Sequence, residues 1–138
     1  EVVTLALFVP LLIGTGGNTG AQAATVVIRA MSLGDLRLSD LPRVLGREAR
    51  VGVLLGGMLA VVGFVPVAVF FGTDMAWVVS LTLLSICTWA TFAGAMLPMV
   101  ADRVGIDPAV VSAPFITTLV DATGLVIYFL IAQAVLGL

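Results

Sequence analysis

The sequence predicts an all-α, polytopic bundle of membrane-spanning helices, on three observations. The 138 residues are 61% hydrophobic and only 10% charged, with a mean hydropathy of +1.24, whereas soluble domains are about half apolar and a quarter charged. Charges divide the chain into four apolar runs, at about residues 2–28, 51–71, 75–101 and 109–138, each longer than the roughly 20 residues a helix needs to cross the hydrocarbon layer. Nowhere does a segment of about 10 residues alternate apolar with polar, as barrel strands do. Backbone groups in lipid must then be satisfied within helices. The chain begins at Glu1, already within an apolar run, and reads as a piece of a longer protein.

The first run carries Gly14-Thr15-Gly16-Gly17-Asn18-Thr19-Gly20 at mid-span. Each glycine weakens a helix by about 1 kcal/mol relative to alanine, so an opened backbone with accessible carbonyls is expected here. Such backbone survives at membrane depth only beside protein or a polar cavity. Asn18, Gln22, Thr25 and Arg29 continue a polar stripe at helical spacing, with Gly14 and Thr15 a turn earlier. Gly16 and Gly20 also have the spacing of a close-packing seam between helices, and the two roles are compatible.

Residues 29–50 form the first loop and hold five of the six arginines; Arg103 lies in the second basic loop, 102–108. Positive charge is retained on the cytoplasmic side, so both loops are expected there, with Glu1, the Gly72-Thr73-Asp74 turn and Leu138 outside. Ser39 or Asp40 followed by Pro42 predicts a short surface helix before the second run. Gly52 and Gly56 are spaced to bring the second and third runs together. Pro66 and Pro98 are expected to kink or end their helices. Trp77 reads as an interfacial anchor, Trp89 and Cys87 as packing, and Asp107 before Pro108 as a helix cap.

Asp121 stands near the middle of the fourth run, where an ionised carboxylate costs about 3 kcal/mol or more. Thr117 and Thr118 before it and Gly124 and Tyr128 after it stand at helical spacing and predict one polar face. A protonated Asp121 tying helices together is the structural alternative; the functional one is a carboxylate on an ion pathway. The two polar stripes together offer a carboxylate, an amide, hydroxyls and carbonyls. Hard oxygen ligands suit Mg2+ or Ca2+, and one carboxylate suits an ion that keeps most of its water. The expected metal ligand is Asp121, and the expected pore lining is Gly14, Thr15, Gly17, Asn18, Gln22, Thr117, Thr118 and Gly124. If two chains meet at a two-fold axis, paired Asp121 carboxylates flank the path and a divalent ion offsets their repulsion.

Other classes fit poorly. A net charge of −2 with no lysine excludes a nucleic-acid surface. One cysteine forms no intrachain disulfide, and without histidine the commonest zinc and haem ligand is missing. An intramembrane aspartyl protease needs two facing carboxylates, and only Asp121 lies at mid-span; no enzyme is expected.

Four motifs in order, Phe8-Val9-Pro10 running into GTGGNTGAQAA (14–24), AGAMLP (93–98), GIDPA (105–109) and DATGL (121–125), resemble the MgtE family of magnesium channels, to which the solute carrier 41 transporters are related. The resemblance covers essentially the whole chain, and the GTGGNTG and DATG pair is its specific part. It implies a homodimeric Mg2+ channel of the plasma membrane, with a pore lined by the second and fifth helices of a five-helix domain. The four runs then correspond to helices two to five, the first helix being absent from this chain along with the family's cytoplasmic regulatory modules. Asp121 matches the pore aspartate, Asn18 the pore asparagine, and the carbonyls near Gly14 and Thr117 the backbone pore contacts. Ala21 stands where the family often has a second asparagine, and Thr117 where alanine is common. A cation-coupled secondary transporter is the alternative function, since a broken helix beside a midplane acid also describes carriers.

Overall fold

The computed structural model describes residues 2–138. Its four long helices are α1 (Val2–Ser32), α2 (Leu41–Phe71), α3 (Thr73–Arg103) and α4 (Ala113–Leu136), with 3-10 turns at Leu38–Asp40 and Pro108–Val110. All four are long and apolar enough to cross a membrane. No strand occurs among the described residues.

The helices run alternately up and down. The end of α1 (Ile28, Met31, Ser32) shares a small cavity with Asp102, Asp107 and Pro108, so both basic loops lie at one end of the bundle. Thr4, the 71–75 turn and Leu136 meet at the other. Glu1, expected on that second side, lies outside the described residues. The α2–α3 turn is a single residue, Gly72, whose φ of 93° suits a residue without a Cβ.

α3 is the central helix, buried along most of its length and packed on the other three, whereas α1 and α2 barely touch. Gly52 and Gly56 bring α2 onto α3 as their spacing predicts. A Cβ on Gly52 would meet Thr88 Cα at 2.6 Å, and one on Gly56 would meet Leu84 Cα at 2.8 Å. Two hydroxyls bond across the same contact, Thr91 Oγ1 to the Glu48 carbonyl at 2.7 Å and Ser80 Oγ to the Ala60 carbonyl at 3.1 Å. The outer face of α2 is left apolar and open, with Val61, Val62, Val65 and Val69 exposed, as a lipid-facing helix requires. Trp77, half-exposed on the second turn of α3, packs edge-on against Phe64. Cys87 is buried.

Several local expectations change. α1 is continuous through Gly14–Gly20, because in lipid each opened carbonyl or amide costs more than a glycine's helix penalty. Of the two outcomes expected at Pro66 and Pro98, neither proline ends its helix: α2 and α3 run on past them. The surface helix expected before the second run is the start of α2 itself, with Asp40 at its N-cap and Pro42 in its first turn. Asp107 caps the 3-10 turn, accepting from the Ala109 amide at 2.9 Å, and α4 begins later, after Ser112.

Candidate functional site

Helix α1 distributes its mid-span residues over three directions. Gly16 and Gly20 face inward: a Cβ on Gly16 would collide with Ile86 of α3, and one on Gly20 would lie 3.0 Å from Ile116 of α4 and 3.3 Å from the Ala90 carbonyl. Gly94 of α3 answers them, since a Cβ there would strike the Gly20 carbonyl. The small-residue seam is therefore real, and it pins α1 against α3 and α4.

Gly17, one residue on, turns to α4. A Cβ at Gly17 would stand 2.9 Å from Asp121 Oδ1 and 3.0 Å from Thr117 Cγ2. Any side chain larger than hydrogen would displace the carboxylate. Asp121 lies on the border between the buried and outer faces of α4, with Val120 buried and Ala122 exposed beside it. Its Oδ1 is buried and accepts no hydrogen bond from the described residues. An unsatisfied buried polar atom costs about 1–3 kcal/mol, more when charged, so this fold carries an uncompensated carboxylate oxygen at mid-span.

Asn18, Gln22 and Thr25 occupy the third, outward direction of α1. With Ala21 and Val26 they line an open groove of about 450 Å³. Thr25 Oγ1 bonds back to the Ala21 carbonyl at 2.8 Å, whereas Asn18 and Gln22 are exposed. Gly14 is also exposed, with open space where its Cβ would be. Thr15 is half-buried, and its carbonyl accepts from Thr19 Oγ1 at 2.6 Å.

On α4, Thr117 joins Asp121 against Gly17, and Thr118 faces outward with Oγ1 bonded to the Pro114 carbonyl at 3.0 Å. Gly124 is not brought to this seam. It is buried against Ile86 of α3, whose Cδ1 would lie 3.4 Å from an added Cβ. Tyr128 too is directed into the bundle, donating from its hydroxyl to the Leu5 carbonyl at 2.8 Å. The single polar face expected around Asp121 thus divides into a seam-facing part, Thr117 and Asp121, and a core-facing part, Gly124 and Tyr128.

Sequence reasoning missed the bond that orients α4. Trp89 Nε1 donates to Thr123 Oγ1 at 2.7 Å, and Thr123 Oγ1 donates to the Leu119 carbonyl at 2.7 Å. The signal was an indole N–H deep in a span, which needs an acceptor. This pair anchors the turn carrying Asp121 to α3. Among the described residues no three His, Cys, Asp or Glu side chains come together, and Asp121 is the one acid in the described parts of α1 and α4.

The fold and seam define a polytopic helical membrane protein with a lone acid held at mid-span beside a glycine-lined helix. The sequence profile of the MgtE family, described as a divalent cation transporter, matches residues 9–131, and the chain belongs to that family. It is 46% identical over 136 residues to the magnesium transporter MgtE of Thermus thermophilus, covering 98% of this chain and 30% of that protein. Against the proteins of the same name from Enterococcus faecalis and Bacillus subtilis the identities are 37% and 35%, covering 96% and 97% of this chain. The chain spans 30% of the length of each of these relatives.

Proposed function

We infer that this chain is the membrane domain through which an MgtE-type protein conducts magnesium, a hydrated Mg2+ passing along the α1–α4 seam beside Asp121. The observation that carries the reading is the buried Oδ1 of Asp121, which has no hydrogen-bond partner among the described residues and packs against Gly17, where a side chain would displace it. Mg2+ dehydrates reluctantly, so a single carboxylate acting through the ion's water shell suits it better than a closed cage. Thr117 lies beside Asp121 on the seam, Asn18 and Gln22 supply further oxygens from the outward groove of α1 alongside it, and the relatives are named magnesium transporters.

One chain leaves the groove of Asn18, Gln22 and Thr25 open on its outer side. A second copy facing it across a two-fold axis closes the path and brings a second Asp121, so the working unit is a homodimer. The membrane is the plasma membrane, with the 29–50 and 102–108 loops in the cytoplasm and Leu138 outside, since both basic loops lie at one end of the bundle. The reading is transport and not catalysis. The coupled-carrier alternative drew on a broken first helix; α1 is unbroken, which favours a pathway of fixed lining.

The test is Mg2+ uptake into vesicles containing the full transporter, reported by an Mg2+-sensitive dye. Asp121→Ala is expected to abolish uptake while the protein still inserts and stays folded; unchanged uptake refutes the reading.

A further inference from the structure

A groove of about 500 Å³ runs along the first turns of α2, away from every residue of the seam. Asp35 and Leu36 of the α1–α2 link form one wall, and α2 forms the other. Arg43, Arg47 and Arg50 line it at i, i+4 and i+7, a spacing that puts them on one helical face. The same face continues into Val51 and Leu54, which line the groove's other end. These positions straddle the point where the arginine-rich stretch gives way to the uninterrupted apolar run 51–71, which is where headgroups meet acyl chains.

The charges in the groove do not cancel: three arginines against Asp35 and Asp40 leave a formal +1 (3 − 2). Asp40 is partly engaged, its Oδ2 accepting from the Arg37 amide at 2.9 Å. Guanidinium groups match phosphate oxygens in pairs, and basic pockets at the cytoplasmic surface take lipid headgroups. A free phosphate would leave Val51 and Leu54 unused; a lipid uses both ends.

We propose that this groove holds one phospholipid of the cytoplasmic leaflet, its phosphate on Arg43, Arg47 and Arg50 and an acyl chain along Val51 and Leu54. Asp35 lines the same groove, so headgroups that donate hydrogen bonds, ethanolamine or glycerol, bind more tightly than choline. The lipid thereby clamps the start of α2 to the α1–α2 link.

The experiment is native mass spectrometry of the delipidated full transporter titrated with phosphatidylglycerol in detergent, with phosphatidylcholine as comparison. Affinity for phosphatidylglycerol falls roughly fivefold for each arginine replaced by glutamine, read in the three single variants as well as in R43Q/R47Q/R50Q. Arg103→Gln, in the other basic loop, leaves it unchanged, and Leu54→Asn lowers it. An affinity that survives the arginine substitutions overturns the proposal. So does an equal loss with Arg103→Gln, which marks general charge attraction, or no loss with Leu54→Asn, which marks a site for phosphate alone.

Discussion

Gly17 of α1 faces Asp121 of α4 so closely that a methyl group on the glycine would stand 2.9 Å from Asp121 Oδ1. The pair accounts for the Oδ1 that has no hydrogen-bond partner among the described residues: the neighbouring helix offers it a glycine and no donor side chain. Gly17→Ala strengthens the helix locally by about 1 kcal/mol, and the atom in its way is the end of a side chain that can rotate, so the change moves the Asp121 carboxylate more than it alters stability. Mg2+ uptake by the full transporter is expected to fall about tenfold or more with membrane insertion retained. Dye-reported flux in vesicles, normalised to protein, checks this.

Asn18 lies exposed on the outward groove of α1, next in sequence to Gly17. Its amide is expected to bond the ion's outer water. Asn18→Ala then removes a bond worth about 1 kcal/mol that depends on the size of the hydrated ion, and discrimination of Mg2+ from Ca2+ drops about fivefold. Permeability ratios from electrical recording measure it, and equal ratios in mutant and parent would count against a selectivity role.

Gly56 and Gly57 are adjacent but opposite in environment. A Cβ on Gly56 would meet Leu84 Cα at 2.8 Å and the Leu83 carbonyl at 2.9 Å, whereas Gly57 has open space within 4 Å. The obstacles at Gly56 are backbone and cannot rotate away. Gly56→Ala is expected to destabilise the bundle by about 1–3 kcal/mol, and Gly57→Ala to leave it unchanged or stabilise it by up to about 1 kcal/mol. Thermal unfolding in detergent followed by near-ultraviolet circular dichroism separates them.

Thr123 accepts the Trp89 indole N–H at 2.7 Å. Thr123→Val keeps the shape and orphans that donor, at about 1–3 kcal/mol; Thr123→Ser restores the acceptor. The expected result is a lowered unfolding temperature and altered tryptophan emission for the valine variant, both returning toward the parent with serine.

The four long apolar helices, their up-and-down order and the α2–α3 glycine contact were legible because lipid imposes simple rules on length, charge and small-residue spacing. Asp121 was legible for the same reason: an acid in an apolar run stands out. What the spacing did not disclose was direction. Gly124 and Tyr128 recur with Asp121 along α4, but the buried stripe follows Ile116, Val120, Gly124, Tyr128 and Ala132, and Asp121 is about 100° from Val120. Helical spacing says which residues are neighbours on one helix; only packing says which helix lies opposite. The continuity of α1 is not legible from propensity, which holds for water, where an opened glycine backbone finds partners that lipid denies it.

The central claim is that Asp121 is kept in the membrane for a hydrated divalent ion, and a density map of the full transporter in Mg2+ compared with one in chelator tests it most directly. The account predicts Mg2+-dependent density about 4 Å from the Asp121 carboxylate, one water shell away, between two copies of the seam and absent with chelator. An Asp121 side chain packed dry or turned toward acyl chains, with no ion density beside it under either condition, contradicts the account.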